Sequence, residues 1–178
     1  MLKRVYVTMR AERVGVGASL FDDYVNVLET GELSAALLSP ALDEDGAPEQ
    51  PETMDMFCQG RLRLTDDTFS LTYEESELTG MEGTQTQLSF HRGQRGLVTM
   101  TRSGSVTTAL VFEQNKRHIC VYQTPIMPFE VCVHTLRVDN ALAVDGQSVG
   151  GTLDLDYVIE IRGARAERCR MHLEVREG

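Results

Sequence analysis

Strict alternation of apolar and polar residues is the feature that most narrows what this chain can become. Leu153, Leu155, Tyr157, Ile159 and Ile161 alternate with Asp154, Asp156, Val158 and Glu160. After Gly163, residues Cys169, Met171, Leu173 and Val175 alternate with Arg168, Arg170, His172, Glu174 and Arg176. Successive side chains of a strand point to opposite faces, so a period of two buries one row and leaves the other in water. A slip of one residue would turn the whole apolar row of the first run outward, so its register is tightly specified. The same pattern recurs over 84–91, 95–102, 106–113 and 118–137. The last of these breaks into two strands at Thr124-Pro125-Ile126-Met127-Pro128.

The remainder of the chain is read in the same terms. Residues 2–10 form a first strand, and 54–65 with 68–75 bracket a hairpin turn at Asp66-Asp67. In Gly15-Val16-Gly17, Leu20 stands where the third glycine of a dinucleotide fingerprint belongs, so the stretch reads as a flexible turn. A strand is expected over 23–30, ending near Gly31, then a small apolar patch at 34–38. Pro40, Pro48 and Pro51 stand among Asp43, Glu44, Asp45, Glu49 and Glu52, so 39–53 reads as a mobile acidic loop. Gly146, Gly150 and Gly151 make 139–151 a loop as well. Many short strands joined by tight turns, with no long helix, imply an all-β antiparallel up-and-down barrel of about 8–10 strands. Closing the meander on itself removes its exposed edges. Such a barrel uses the whole chain, 1–178, as one domain.

Charge and cysteine usage limit the partners and the compartment. A net charge of −10 argues against nucleic acid, whose phosphates need a positive surface, and against an anionic membrane. No apolar run reaches the length of a bilayer span, and Met1–Val7 lacks the apolar core of a signal peptide. Cys58, Cys120, Cys132 and Cys169 are dispersed in strand-like runs, which suits reduced, buried thiols in the cytoplasm.

A family resemblance is carried by an ordered set of short motifs. These are Tyr73-Glu74-Glu75-Ser76, Gly80-Met81-Glu82-Gly83-Thr84, Arg102-Ser103-Gly104 and Phe112. Tyr122-Gln123-Thr124-Pro125, Thr135 and Leu153-Asp154-Leu155-Asp156-Tyr157 complete it. In order and spacing the set resembles the bacterial YwiB-like family, a domain of unknown function with a calycin (lipocalin-like) β-barrel. The likeness covers the first strand and everything from Met54 onward. It implies a calycin barrel and no established activity. Two departures stand out: Ile126-Met127-Pro128 replaces the family's tight glycine turn after Thr-Pro, and the acidic loop is longer than the family pattern.

Calycin barrels commonly hold a ligand in an open mouth with apolar walls and a few polar groups. Tyr73, Glu75, Arg102, Tyr122, Thr124 and Tyr157 are the candidate ligand-binding residues. Tyr73 and Glu75 share one strand face, Tyr122 and Thr124 another, and Tyr157 lies in an inward row. An Arg102–Glu75 pair would either orient a ligand carboxylate or neutralise itself, and the same set would equally seal a closed barrel. Methionines such as Met54, Met56, Met81, Met100 and Met127 suit an adaptable pocket or simple core filling.

Other constellations are weaker. His118, Cys120, Cys132 and His134 would share a face if Cys120 stood opposite Cys132; a register shifted by one residue would separate the two thiols. Ordinary strand residues explain them better, and no metal or cofactor is assigned. Glu74 and Glu75 face opposite ways, so they are no glycosidase pair. No Gly-x-Ser-x-Gly elbow or electropositive cysteine loop marks a nucleophile, so no catalytic residue is named. The expectation is a monomer binding a small amphipathic or acidic ligand. The alternative is a filled barrel acting as a protein-interaction module.

Overall fold

The computed structural model describes residues 1–17, 19–21, 38–145 and 148–178. The alternating runs become antiparallel strands β1 (Leu2–Gly15), β2 (Glu52–Leu64), β3 (Thr68–Glu74), β4 (Gln85–His91), β5 (Leu97–Ser103) and β6 (Thr108–Glu113). They continue as β7 (Arg117–Gln123), β8 (Pro128–Asn140), β9 (Ala143–Asp145), β10 (Ser148–Ile161) and β11 (Glu167–Glu177). Helix is almost absent among the described residues; a 3-10 turn at Glu77–Thr79 joins β3 to β4. No helix among them is long and apolar enough to cross a membrane.

The sheet runs β6-β5-β4-β3-β2-β1-β11-β10-β8-β7, with β9 added to β10. This is an up-and-down order in which the first and last strands are neighbours. Their ladder extends from Val5↔Glu177 to Gly15↔Glu167, so the two chain ends lock each other into the sheet. The seam falls mid-chain instead, between β6 and β7. There Thr107 and Gln123 exchange backbone hydrogen bonds of 3.0 and 2.8 Å, and the Thr108 hydroxyl donates to the Val121 carbonyl at 3.2 Å. The result is a nearly closed antiparallel barrel, as the alternation predicts.

The inward rows pack a core that includes Val7, Leu71, Leu88, Val98, Phe112, Leu153 and Leu173, none measurably exposed. Burying each such side chain contributes roughly 1.5–3 kcal/mol relative to leaving it in water. Phe69 and Phe90, cross-strand partners, stack at 5.1 Å near one end. A second, smaller cluster sits outside the barrel wall, where Val16, Leu20 and Ala166 cover Cys132 and Val158. The buried Glu160 carboxylate anchors that cover. It accepts the Ser19 hydroxyl at 2.7 Å and the Leu20 N–H. A bulge in β8, between the pairs Asp156↔Arg137 and Tyr157↔Thr135, leaves Leu136 unpaired and packed against this outer cluster.

Several expectations need correction. Gly15 ends β1 rather than opening a flexible turn, and Val16 is buried, bridged to Pro40 and bonded to the Ala166 carbonyl at 3.0 Å. The span 139–151 is not a loop. It holds the end of β8, all of β9 and the start of β10, whose Gly150 and Gly151 pair with Arg176 and Val175. The acidic segment gives way to β2 already at Glu52. Its Asp43 carboxylate accepts the N–H groups of Asp45 and Ala47, and the Ala41 N–H bonds to the Gly15 carbonyl. The strand expected over 23–30 lies outside the described residues, as does the patch at 34–38 apart from Leu38.

Candidate functional site

The barrel interior is apolar at one end and polar at the other. The polar level can be traced across the ladders: Gly60 pairs with Tyr73, Tyr73 with Thr86, Thr86 with Arg102, and Arg102 with Thr108. Alternation puts these residues on the same inward face as Leu71, Leu88, Met100 and Leu110, one step beyond the apolar layer. Glu75 follows β3 on that face, and Tyr122 and Tyr157 reach the same end from β7 and β10.

Above this level opens a cleft of about 470 Å³, within the size range of sites for small organic molecules. Tyr73, Glu75, Arg102 and Tyr157 line it, so strands distant in sequence deliver four of the expected ligand-binding residues to one cavity. Tyr122 stands beside it, its hydroxyl accepting from Arg102 Nη1 and donating to Met81 Sδ, each at 3.4 Å. Thr124 is placed elsewhere. Its hydroxyl donates to the Met127 carbonyl at 2.8 Å and accepts from the Ile126 and Met127 N–H groups, so it shapes the β7–β8 turn.

The walls are methionine-rich. Met9, Met54, Met81, Met100 and Met171 all line the cleft, giving it polarizable, conformationally soft sides. Met56 is in the core and Met127 is exposed on the β7–β8 turn. Met9 and Met171 escape a reading of the sequence because they meet only when β1 and β11 zip together. The inward alternation of each strand was the available signal.

Charge at the floor is balanced. Arg102 Nε lies 3.6 Å from Glu75 Oε1, and Glu75 also accepts from the Thr86 hydroxyl. Burial works to lower the Arg102 pKa, but Tyr122, Glu75, Tyr157 and Tyr73 outweigh it, so the guanidinium stays charged. Burial first, and then Glu75, pushes the Tyr73 phenol above its ordinary range; burial and then Cys169 do the same for Tyr157. Both hydroxyls are therefore neutral hydrogen-bonding groups. Burial also pushes the cleft-lining Cys169 thiol up to about 11, which keeps it protonated and a poor nucleophile. At the rim the cations already have carboxylate partners: Arg13 with Glu167 at 3.5 Å, and Arg170 with Asp156 at 3.8 Å. Such a site can hold an apolar body and hydrogen-bond a polar head.

The alternative histidine–cysteine face is divided by register. Cys120 pairs with Val131 and Ile119 with Cys132, because four residues, 124–127, separate the pair Gln123↔Pro128. Cys120 consequently packs against the inner core and Cys132 within the outer cluster. His118 contacts Glu113 at 3.0 Å, whereas His134 stands opposite Arg117. Of the acidic run, Glu74 points outward to Gln85 and Glu75 inward to the cleft.

Comparison with known proteins gives a family and a fold. Residues 43–173 match a family described as "Domain of unknown function (DUF1934)". The structure described as "Crystal structure of ywiB protein from Bacillus subtilis" is similar with a TM-score of 0.66 at 13% identity. The alignment covers 99% of this chain and 93% of that one. At that identity the likeness is one of fold, and the nearly closed barrel agrees with the calycin-like architecture expected above. No curated protein matches the sequence.

Proposed function

Because the chain belongs to the DUF1934 family, a domain of unknown function, its role must be read from its own cleft, and we propose that it binds a small amphipathic molecule there. The observation that carries this reading is the paired Glu75–Arg102 floor beneath methionine walls at a polar level of the barrel interior. A cavity serving only as core would be filled with apolar side chains to the density of the opposite end. The acidic alternative for the ligand loses ground at the floor, where Arg102 already faces the Glu75 carboxylate; at the rim Arg13 lies 3.5 Å from Glu167, while Arg170 shares Asp156 with Arg168. We place the protein in the cytoplasm as a monomer, a reading supported by four free cysteines and by β1 and β11 occupying each other's edges.

Native mass spectrometry of protein isolated from its own host tests this. The expected result is a co-purifying small molecule at one per chain, absent when Ala11→Trp fills the cleft that Ala11 lines opposite Met171. A bare chain mass, together with failure of a neutral phenylnaphthylamine probe to bind stoichiometrically, would overturn it. A second reading is favoured by one observation: Ile119, Val121, Ile126 and Met127 are exposed along β7 and its turn. A stoichiometric protein partner in the same spectra would select that interaction role instead.

A further inference from the structure

The hydrogen bonds that the cleft floor leaves unmade define the head group it can take, an inference that rests on the binding reading above. The Glu75 side chain is 1% exposed, yet among the described residues its Oε2 has no hydrogen-bond partner. Arg102 Nε is likewise buried and without one. Arg102 Nε lies 3.6 Å from the other carboxylate oxygen, Oε1, which already accepts from Thr86; that is beyond the range of a good N–H···O bond, so the pairing satisfies neither Nε nor Oε2. A buried acceptor and a buried donor thus stand side by side, a costly arrangement that a third group can relieve. Both residues line the cleft, and Arg102 is the more open member, with a side chain 15% exposed.

A group that donates to Glu75 Oε2 and accepts from Arg102 Nε completes both. A carboxylate head would meet Glu75 with like charge, and an ammonium head would meet Arg102 in the same way. At this floor neither finds a spare counter-ion, because the Glu75–Arg102 pair is neutral as it stands. We propose that the ligand carries an uncharged head that both donates and accepts, a primary amide or an alcohol. Its apolar chain lies along Met9, Met100 and Met171.

The test is displacement of the neutral phenylnaphthylamine probe from the full chain at neutral pH by octanamide, octanol, octanoate and octylamine. These share one apolar chain and differ in the head. Octanamide and octanol are expected to bind at least about tenfold tighter than either charged analogue. In Glu75→Gln the guanidinium loses its counter-ion, and octanoate should overtake the amide. Tightest binding by octanoate or octylamine in the wild type, or equal binding of all four, would overturn the inference while leaving the binding reading in place. Failure of the probe itself to bind would end this inference, and together with a bare chain mass in the native spectra it would end the binding reading too. If Glu75→Gln does not fold, the wild-type ranking alone decides.

Discussion

Arg102 Nε and Glu75 Oε1 face each other at 3.6 Å inside the barrel, the guanidinium delivered by β5 and the carboxylate by the residue that follows β3. The central strand between them, β4, contributes Thr86, cross-strand partner of Arg102 and hydroxyl donor to Glu75. Ion pairs of this kind contribute little net stability, because desolvation offsets their attraction, but breaking one leaves a bare buried charge. Arg102→Met should therefore cost about 3 kcal/mol. Adding Glu75→Leu should return at least half of that loss. Urea unfolding midpoints at unchanged slope read the effect. Strictly additive losses in the double variant would show that the two side chains are not energetically coupled.

The outer cluster has its own pH dependence. His134 is buried, and its Nδ1 has no hydrogen-bond partner among the described residues. Burial first, and then the nearby Arg117 charge, push its pKa down to about 4, while the Glu160 carboxylate and the Cys132 thiol share the same outer face. In the unfolded chain the imidazole titrates near 6.5. Between those two values the unfolded state holds the extra proton, so stability falls as pH drops from about 6.5 to 4 and levels off below. The folded chain should lose on the order of 3 kcal/mol across this window through His134. The His134→Leu variant should show a flatter stability profile there. Parallel profiles for wild type and variant, measured by urea titration at several pH values, would contradict this.

Gly151 marks the place where strand and glycine are both required. Its φ is +128°, a backbone conformation that L side chains rarely adopt, and a Cβ there would lie 2.3 Å from the Ala141 carbonyl oxygen. Gly151→Ala should cost about 3 kcal/mol or more, from strain and overpacking together. At Gly150 a Cβ would lie 3.2 Å from the Val175 carbonyl oxygen, without the positive φ. Gly150→Ala should therefore cost less, on the order of 1 kcal/mol. Thermal melts of the two variants side by side give the comparison, and equal losses would refute it.

The same pair of glycines explains why 139–151 reads as a loop. Glycine has no β-propensity, and three of them in a short span imitate a turn. In the barrel Gly151 is glycine because the 141–142 backbone passes too close for any side chain, which is a tertiary fact. The site was partly legible for the opposite reason. Tyr73, Glu75, Arg102 and Tyr157 lie in rows whose other members are apolar, so each stands out as a polar residue directed inward. Thr124 follows the same alternation on paper, but the chain leaves β7 at Gln123 and its hydroxyl is used by the turn.

Alternation acts between adjacent residues, and so the sequence by itself determined most of the strands, their inward rows and the antiparallel all-β class. It left open every quantity that depends on residues far apart. The one-residue difference that sets Cys120 against Val131 rather than Cys132 comes from the length of a turn, which local periodicity does not encode. The union of β1 with β11, which brings Met9 and Met171 to the same cleft, comes from closure of the whole sheet. The 3.6 Å between Arg102 and Glu75 exists only once both ladders flanking β4 are in register.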